Sequence, residues 1–203
     1  MSEWLAGARL LQCGEGAAVR TMAEMLTAAG ACVYRSGVGP GQESAIAQDF
    51  DAAEAALGGG VDLLLHSGSS FAPGHAEAMD LAAWRASVSA DIDRRFLQSA
   101  EFVRRCIAGR RSGSILFLLA ALAPAAGRFG QATAYGAVEN LVKSLAVEWA
   151  RDGIRINAIA SRACEQSSDS DPELAQSLGN LAAYLLSDYA AYVSGTVMGV
   201  DEV

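Results

Sequence analysis

Two kinds of segment alternate along the chain. Short, mostly apolar runs recur at Arg9–Cys13, Ala31–Tyr34, Val61–Leu65, Ser114–Leu119, Ile154–Ile159 and Gly195–Val200. Brief apolar runs bounded by turn residues mark strands buried on both faces. Between them lie segments with apolar residues at three- and four-residue spacing: Ala17–Ala29, Glu43–Leu57, Trp84 to about Ala108, a segment near Tyr135–Ala150, and Leu174–Leu186. In the fourth of these, Leu141, Leu145, Ala146 and Trp149 share one side of an amphipathic helix. Gly30 and Gly153 stand where helices end, in positions where a left-handed turn costs glycine least. The stretch from Gly113 to Ala160 therefore reads as strand, helix, strand, and a parallel crossover is its natural geometry. Strands and helices alternating over one compact length predict an α/β fold, a single doubly wound parallel sheet forming one domain over residues 1–203.

Composition narrows the setting. Residues are 52% hydrophobic, which excludes disorder as the overall state. A net charge of −8 argues against a nucleic-acid partner, which needs a basic face. No apolar run reaches the roughly 18–20 residues that span a bilayer, and the longest, Ile115–Ala126, contains Pro124. Glu3 and Arg9 interrupt the N-terminal region, so no signal core is expected and a cytoplasmic setting is. Cys13, Cys32, Cys106 and Cys164 lack paired metal spacing and read as reduced thiols. His66 and His75 are the only histidines, and a structural or surface role is expected for His66 rather than metal or base chemistry. A GxSxG nucleophile elbow is missing. The acidic run Asp169-Ser170-Asp171 lacks EF-hand spacing and reads as a solvated loop.

Four stretches, in this order, carry a family resemblance. They are VDLLLHSG, the Trp84-to-Asp91 spacing on the long helix, ENLVKSLAVEWARDGIRINAIA, and the ending LAAYLLSDYAAYVSGTVMGVDEV. Over nearly its whole length the chain resembles the short-chain dehydrogenase/reductase family, which implies a Rossmann-like sheet in a shortened form. Members are usually NAD(P)-dependent oxidoreductases that assemble as dimers or tetramers. Their working parts are a TGxxxGxG cofactor turn, an Asn-Asn-Ala-Gly stretch and a Ser–Tyr–Lys catalytic set with an asparagine on the long helix.

Position by position, those parts are altered. Counting back from Gly30, the three pattern glycines fall on Cys13, Ala17 and Val19. Glycines there let a pyrophosphate approach bare backbone at a helix N-terminus; Val19 would put a branched side chain in the way and Glu15 adds a negative charge. Gly14 and Gly16 read as an ordinary turn, and Arg35 as a lone surface arginine. The asparagine-rich stretch is replaced by His66-Ser67-Gly68-Ser69. The serine region is Leu118-Leu119-Ala120-Ala121, without a hydroxyl. Tyr135 precedes Gly-Ala as a catalytic tyrosine would, but the lysine four residues on is Glu139; an ungapped count from Ile154-Arg155-Ile156-Asn157 instead puts the tyrosine slot on Gln131 and the lysine slot on Tyr135. Lys143 is the only lysine, and eight residues of helix place it about 12 Å beyond Tyr135. The mechanism needs a cation beside the tyrosine to lower its pKa. The long-helix asparagine is Asp91, and the Pro-Gly after the sixth strand is Ser161-Arg162, followed by a shortened lid.

The degenerate positions Asp91, Ala120, Gln131, Tyr135 and Glu139, with Cys13, Ala17 and Val19, lead to an expectation of no catalytic set and no cofactor bound by this chain. In the family, the two helices of the centre pack subunits across one twofold axis and the last strand across another. The resemblance thus implies a non-catalytic subunit in a heterotetramer with an active homologue that binds NAD(P). A candidate setting is the CoA-ester alcohol dehydrogenase of anaerobic toluene (benzylsuccinate) degradation. Two alternatives stand beside it: a homo-oligomeric ligand sensor, and an oxidoreductase with a nonstandard set such as Tyr135 with Asp91 or His66.

Overall fold

The apolar run Gly113–Ala120 (β4) decides the architecture. Ile115, Phe117 and Leu119 point to one side and Leu116 and Leu118 to the other, and all five are buried. A strand apolar on both sides needs a helical layer on each. In the computed structural model, which describes residues 3–14, 16–39, 42–68, 74–121, 128–164 and 172–200, both layers are present. Helices α2 (Ile46–Leu57), α3 (Leu81–Ala108) and α4 (Phe129–Trp149) cover one face; α1 (Ala17–Ala28) and α5 (Pro172–Leu186) cover the other.

The remaining strands are β1 (Arg9–Cys13), β2 (Cys32–Arg35), β3 (Leu63–Ser67), β5 (Ile154–Ser161) and β6 (Val197–Gly199). All pairings are parallel, in the order β2-β1-β3-β4-β5-β6. The longest pair is β4 with β5, which run in register from Gly113 opposite Ile154 to Ala120 opposite Ser161. The crossover between them is α4, which buries Val138, Val142, Leu145, Ala146 and Trp149 against the sheet.

Helix ends follow local chemistry. Asp80 caps α3, its side chain accepting from the Ala83 N–H at 2.8 Å. The short turn that extends α4 closes at Gly153, whose φ of 72° is the left-handed value expected of it. Helix α3 begins at Leu81, three residues before the apolar periodicity shows, because Asp80 supplies the start. Strand β3 is displaced two residues from the expected run: Asp62 is held by side-chain bonds to Arg9 and Arg111, while His66 and Ser67 continue the ladder.

Fully burying a large apolar side chain contributes about 1.5–3 kcal/mol, and truncation adds a cavity term. Phe117→Ala, at the centre of the two-sided strand, is expected to lower unfolding free energy by about 3–5 kcal/mol, read from a urea titration. A loss under about 1 kcal/mol would mean that β4 is not the core strand described here.

Candidate functional site

In doubly wound sheets, ligands bind outside the carboxyl ends of the strands where the strand order reverses. Here that point lies between β1 and β3, because the chain leaves β1 for β2 and returns to its other side. Two glycines, Gly14 and Gly16, form the turn, with φ of 90° and 111°. Gly14 lies so near the end of β3 that a methyl group on it would collide with the Ser67 hydroxyl and carbonyl. Strand packing and backbone conformation are enough to require glycine there. Of the expected pattern positions, Cys13 is the buried end of β1, with burial raising its thiol pKa, and Ala17 is the first residue of α1. Val19 departs from expectation: its side chain is fully buried between α1 and the sheet, because it lies two residues into the helix and faces the core. Glu15 and Ser69 lie outside the described residues.

At the neighbouring strand ends the structure holds a feature the sequence reading missed. Arg95, 1% exposed, reaches from α3 to the carboxyl ends of β3 and β4. Its Nε donates to Asp91 Oδ1 at 3.0 Å, Nη1 to the His66 carbonyl at 3.1 Å and Nη2 to the Leu118 carbonyl at 2.9 Å. The guanidinium also lies over the Phe117 ring, 4.9 Å from its centroid. Gly68 abuts this pair so closely that a side chain there would meet Arg95 Nη2 and Asp91 Oδ1. The position the family gives to asparagine thus holds a carboxylate that is half of a buried ion pair. The signal in the sequence was Asp91-Ile92-Asp93-Arg94-Arg95, where Asp91 and Arg95 fall one turn apart on the helix side that also carries Phe102 and Cys106.

His66 is fully buried, edge-on to Phe117 at 6.0 Å. Of the two roles expected for it, structural or surface, the structure excludes the surface. Burial first, then the nearby Arg95 and Arg94 charges, hold its imidazole well below the ordinary 6.5.

Positions Gln131 and Tyr135 occupy the first two turns of α4, both half-buried, and Tyr135 packs on the same core cluster as Ala121. The start of α4 is fixed beside α3 by Phe129, stacked on Trp84 with ring centroids 5.5 Å apart and planes within 4°. Ala120, the last residue of β4, pairs with Ser161 of β5. Lys143 lies farther along α4, where its Nζ donates to Glu139 Oε1 at 2.7 Å on an exposed face. Arg35 is exposed and loosely paired with Glu24 at 3.6 Å. Among the described residues, no group of three metal-ligating side chains converges, and no helix is long and apolar enough to cross a membrane. A groove of about 650 Å³, lined by Trp4, Asp62, Arg155 and Tyr192 among others, opens at the amino ends of the strands, opposite the switch point. The acidic run at 169–171 and Pro124 lie outside the described residues.

Strand order and switch point place this protein among the doubly wound α/β proteins. Residues 5–173 match a family model described as enoyl-(acyl carrier protein) reductase. A galactitol 2-dehydrogenase (L-tagatose-forming) from Cereibacter sphaeroides is 31% identical over an alignment of 219 positions that covers 96% of this chain and 84% of the relative. The chain belongs to the short-chain dehydrogenase/reductase family. An inactive 2-(S)-hydroxypropyl-CoM dehydrogenase 2 from Xanthobacter autotrophicus is 26% identical, covering 85% of each chain. The crystal structure of a short-chain type dehydrogenase/reductase from Mycobacterium marinum shares the fold, with a TM-score of 0.84 over 97% of this chain and 94% of that one, at 19% identity. The chain spans only 58% and 63% of the lengths of two further curated relatives.

Two measurements test this geometry. Removing one partner of a buried ion pair strands the other charge, at about 3–5 kcal/mol. Asp91→Ala is expected to cost that much in unfolding free energy, and Asp91→Ala combined with Arg95→Met to recover part of it. His66 gives a pH signature. The unfolded imidazole takes up a proton as pH falls through about 6.5, whereas the folded one does so only at much lower pH. The stability that neutral His66 contributes is therefore complete above pH 6.5 and lost below it, by up to about 1.4 kcal/mol per pH unit. His66→Gln is expected to flatten the stability profile between pH 7 and pH 5, measured by denaturant titration at each pH.

Proposed function

We propose that this chain is a non-catalytic structural subunit of a hetero-oligomeric short-chain dehydrogenase, assembled with an active homologous subunit that carries NAD(P). The observation behind this reading is the fate of the charges. The family's chemistry needs a cation within a turn of the tyrosine to favour its ionised form. The only lysine of this sequence is eight residues past Tyr135 and ion-paired to Glu139, whose own charge opposes a phenolate at Tyr135. Asp91, at the asparagine position, is committed to Arg95. Hydride chemistry of the family's usual kind then lacks the cation that would favour the ionised tyrosine.

The surfaces support the same reading. Phe96, Leu97 and Ile107 of α3 are 43%, 38% and 49% exposed, and Val147 of α4 is 82% exposed. These are the two helices that pack subunits together in related enzymes, and apolar side chains facing outward from a helix pair mark a contact surface. The relative named inactive lends the idea a family precedent. In the heterotetramer proposed here the active neighbour supplies cofactor and substrate sites, and this chain completes the interface. The CoA-ester alcohol dehydrogenase of anaerobic toluene degradation is the candidate setting.

Titration of the isolated chain with NAD(H) and NADP(H), followed by calorimetry, is expected to show no saturation up to millimolar concentration. Co-expression with the homologue from a neighbouring reading frame is expected to yield a stable complex that Val147→Asp or Phe96→Asp disrupts. Saturable cofactor binding with turnover by this chain alone would overturn the proposal in favour of a nonstandard catalytic set. A stable homo-oligomer that ignores the homologue would favour the ligand-sensor reading.

A further inference from the structure

Helix α3 is held to the sheet in two different ways. Toward its end the inner side is apolar: Phe102, Val103 and Cys106 are buried in the core cluster. Arg105 adds a clamp to α2, donating to Glu54 Oε2 and to the Ala47 carbonyl, each at 2.9 Å. Over residues 81–99 the buried side chains, among those described, are Asp91, Arg94, Arg95, Gln98 and Ser99, every one polar. Ile92 packs on the core there only half-buried, and Phe96 and Leu97 face outward. Apolar burial is gained in full on docking, whereas a buried polar group contributes only the difference between its protein bonds and its bonds to water. Some groups here fall short of that. Gln98 Oε1, Ser99 Oγ and both ring nitrogens of His66, which Gln98 adjoins, have no partner of hydrogen-bond geometry among the described residues.

We propose that α3 opens in two parts: residues 81–99 lift from the carboxyl ends of β3 and β4 as a unit while residues 101–108 stay docked, and protonation of His66 promotes the lift. The ion pair does not oppose this. Asp91 and Arg95 lie one turn apart on the same helix and travel together, so the bonds that break are those from Arg95 to the His66 and Leu118 carbonyls. The groups facing the imidazole are Arg94, Arg95 and Gln98 of α3, with Asp91 bonded to Arg95; Phe117 of β4; and Cys13, its register partner on β1. Asp49 of α2 acts on Cys13, whose thiol burial keeps neutral. The charges nearest the ring are thus two cations and one carboxylate, all on the segment that lifts. A proton on His66 repels that segment, and lifting returns the ring to water. The inference concerns the isolated chain and stands whether or not the scaffold reading does.

Native-state hydrogen exchange of the isolated full chain tests this, read by mass spectrometry on short overlapping fragments and corrected for intrinsic rates. At pH 7 the amides of residues 94–99 are expected to be at least about tenfold less protected than those of 102–107. Their exchange is expected to stay nearly flat in low urea, because the lift uncovers little surface. That of 102–107 is expected to climb with urea as whole-chain unfolding takes over. Lifting leaves a ring of ordinary pKa near 6.5 free to take a proton, so opening is expected to rise up to about 25-fold from pH 7 to pH 5. His66→Gln is expected to remove that rise. A second readout leaves His66 in place. With Cys32→Ser and Cys164→Ser removing the exposed and half-exposed thiols, Ser99→Cys is expected to react with a maleimide at least about tenfold faster than the native, buried Cys106. Equal protection along α3, one urea dependence in both halves, or Ser99→Cys and Cys106 labelled at the same rate overturns the two-part helix. An acid rise unchanged in His66→Gln overturns the role of His66.

Discussion

Burial of β4 on both sides constrains everything around it. A strand with Phe117 and Ile115 on one side and Leu116 and Leu118 on the other has no face to give to water. Its neighbours must then be reached by crossovers that lay helices over each face, which makes the sheet parallel throughout. The same requirement sends the chain from β1 outward to β2 and back, creating the switch point at Gly14 and Ser67. The place where this family does its chemistry is thus a by-product of hydrophobic burial, present whether or not chemistry follows.

What fills that place is electrostatics turned inward. Arg95 could not be buried at 1% exposure without compensation, and it finds one carboxylate, two carbonyls and an aromatic face. The cation beside His66 also helps to keep the imidazole neutral, so the two features reinforce each other. Strand ends that remain adaptable in a binding site are here pinned to a helix.

Much of this was legible in the sequence, for identifiable reasons. Strand β1 and helix α2 have the expected cores because their apolar residues are contiguous or periodic with glycine at the ends. The β4–α4–β5 unit has the expected order, since Gly153 and the run after it leave one geometry, but α4 begins at Phe129, six residues before the expected Tyr135. The misses share a cause: they depend on partners distant in sequence. Strand β3 slips two residues because Asp62 is bound to Arg9 and Arg111, and Val19 faces the core cluster that α1 shares with α5. Arg95 has only its one-turn spacing from Asp91 as a local signal, because its two carbonyl partners come from β3 and β4. The outer edge of β2, unpaired among the described residues, is equally invisible, because strand order is a property of the whole sheet.

The Glu139–Lys143 pair has a further consequence, in terms of proteolysis. Because the sequence contains one lysine, a lysine-specific protease has one peptide bond to cut, inside α4. The products would be residues 1–143 and 144–203, with β1–β4 on one piece and β5 and β6 on the other. A protease needs extended backbone, so α4 must open locally before cleavage. The rate of that single cut therefore reports the stability of one helix, and any subunit laid over its outer face would register as protection.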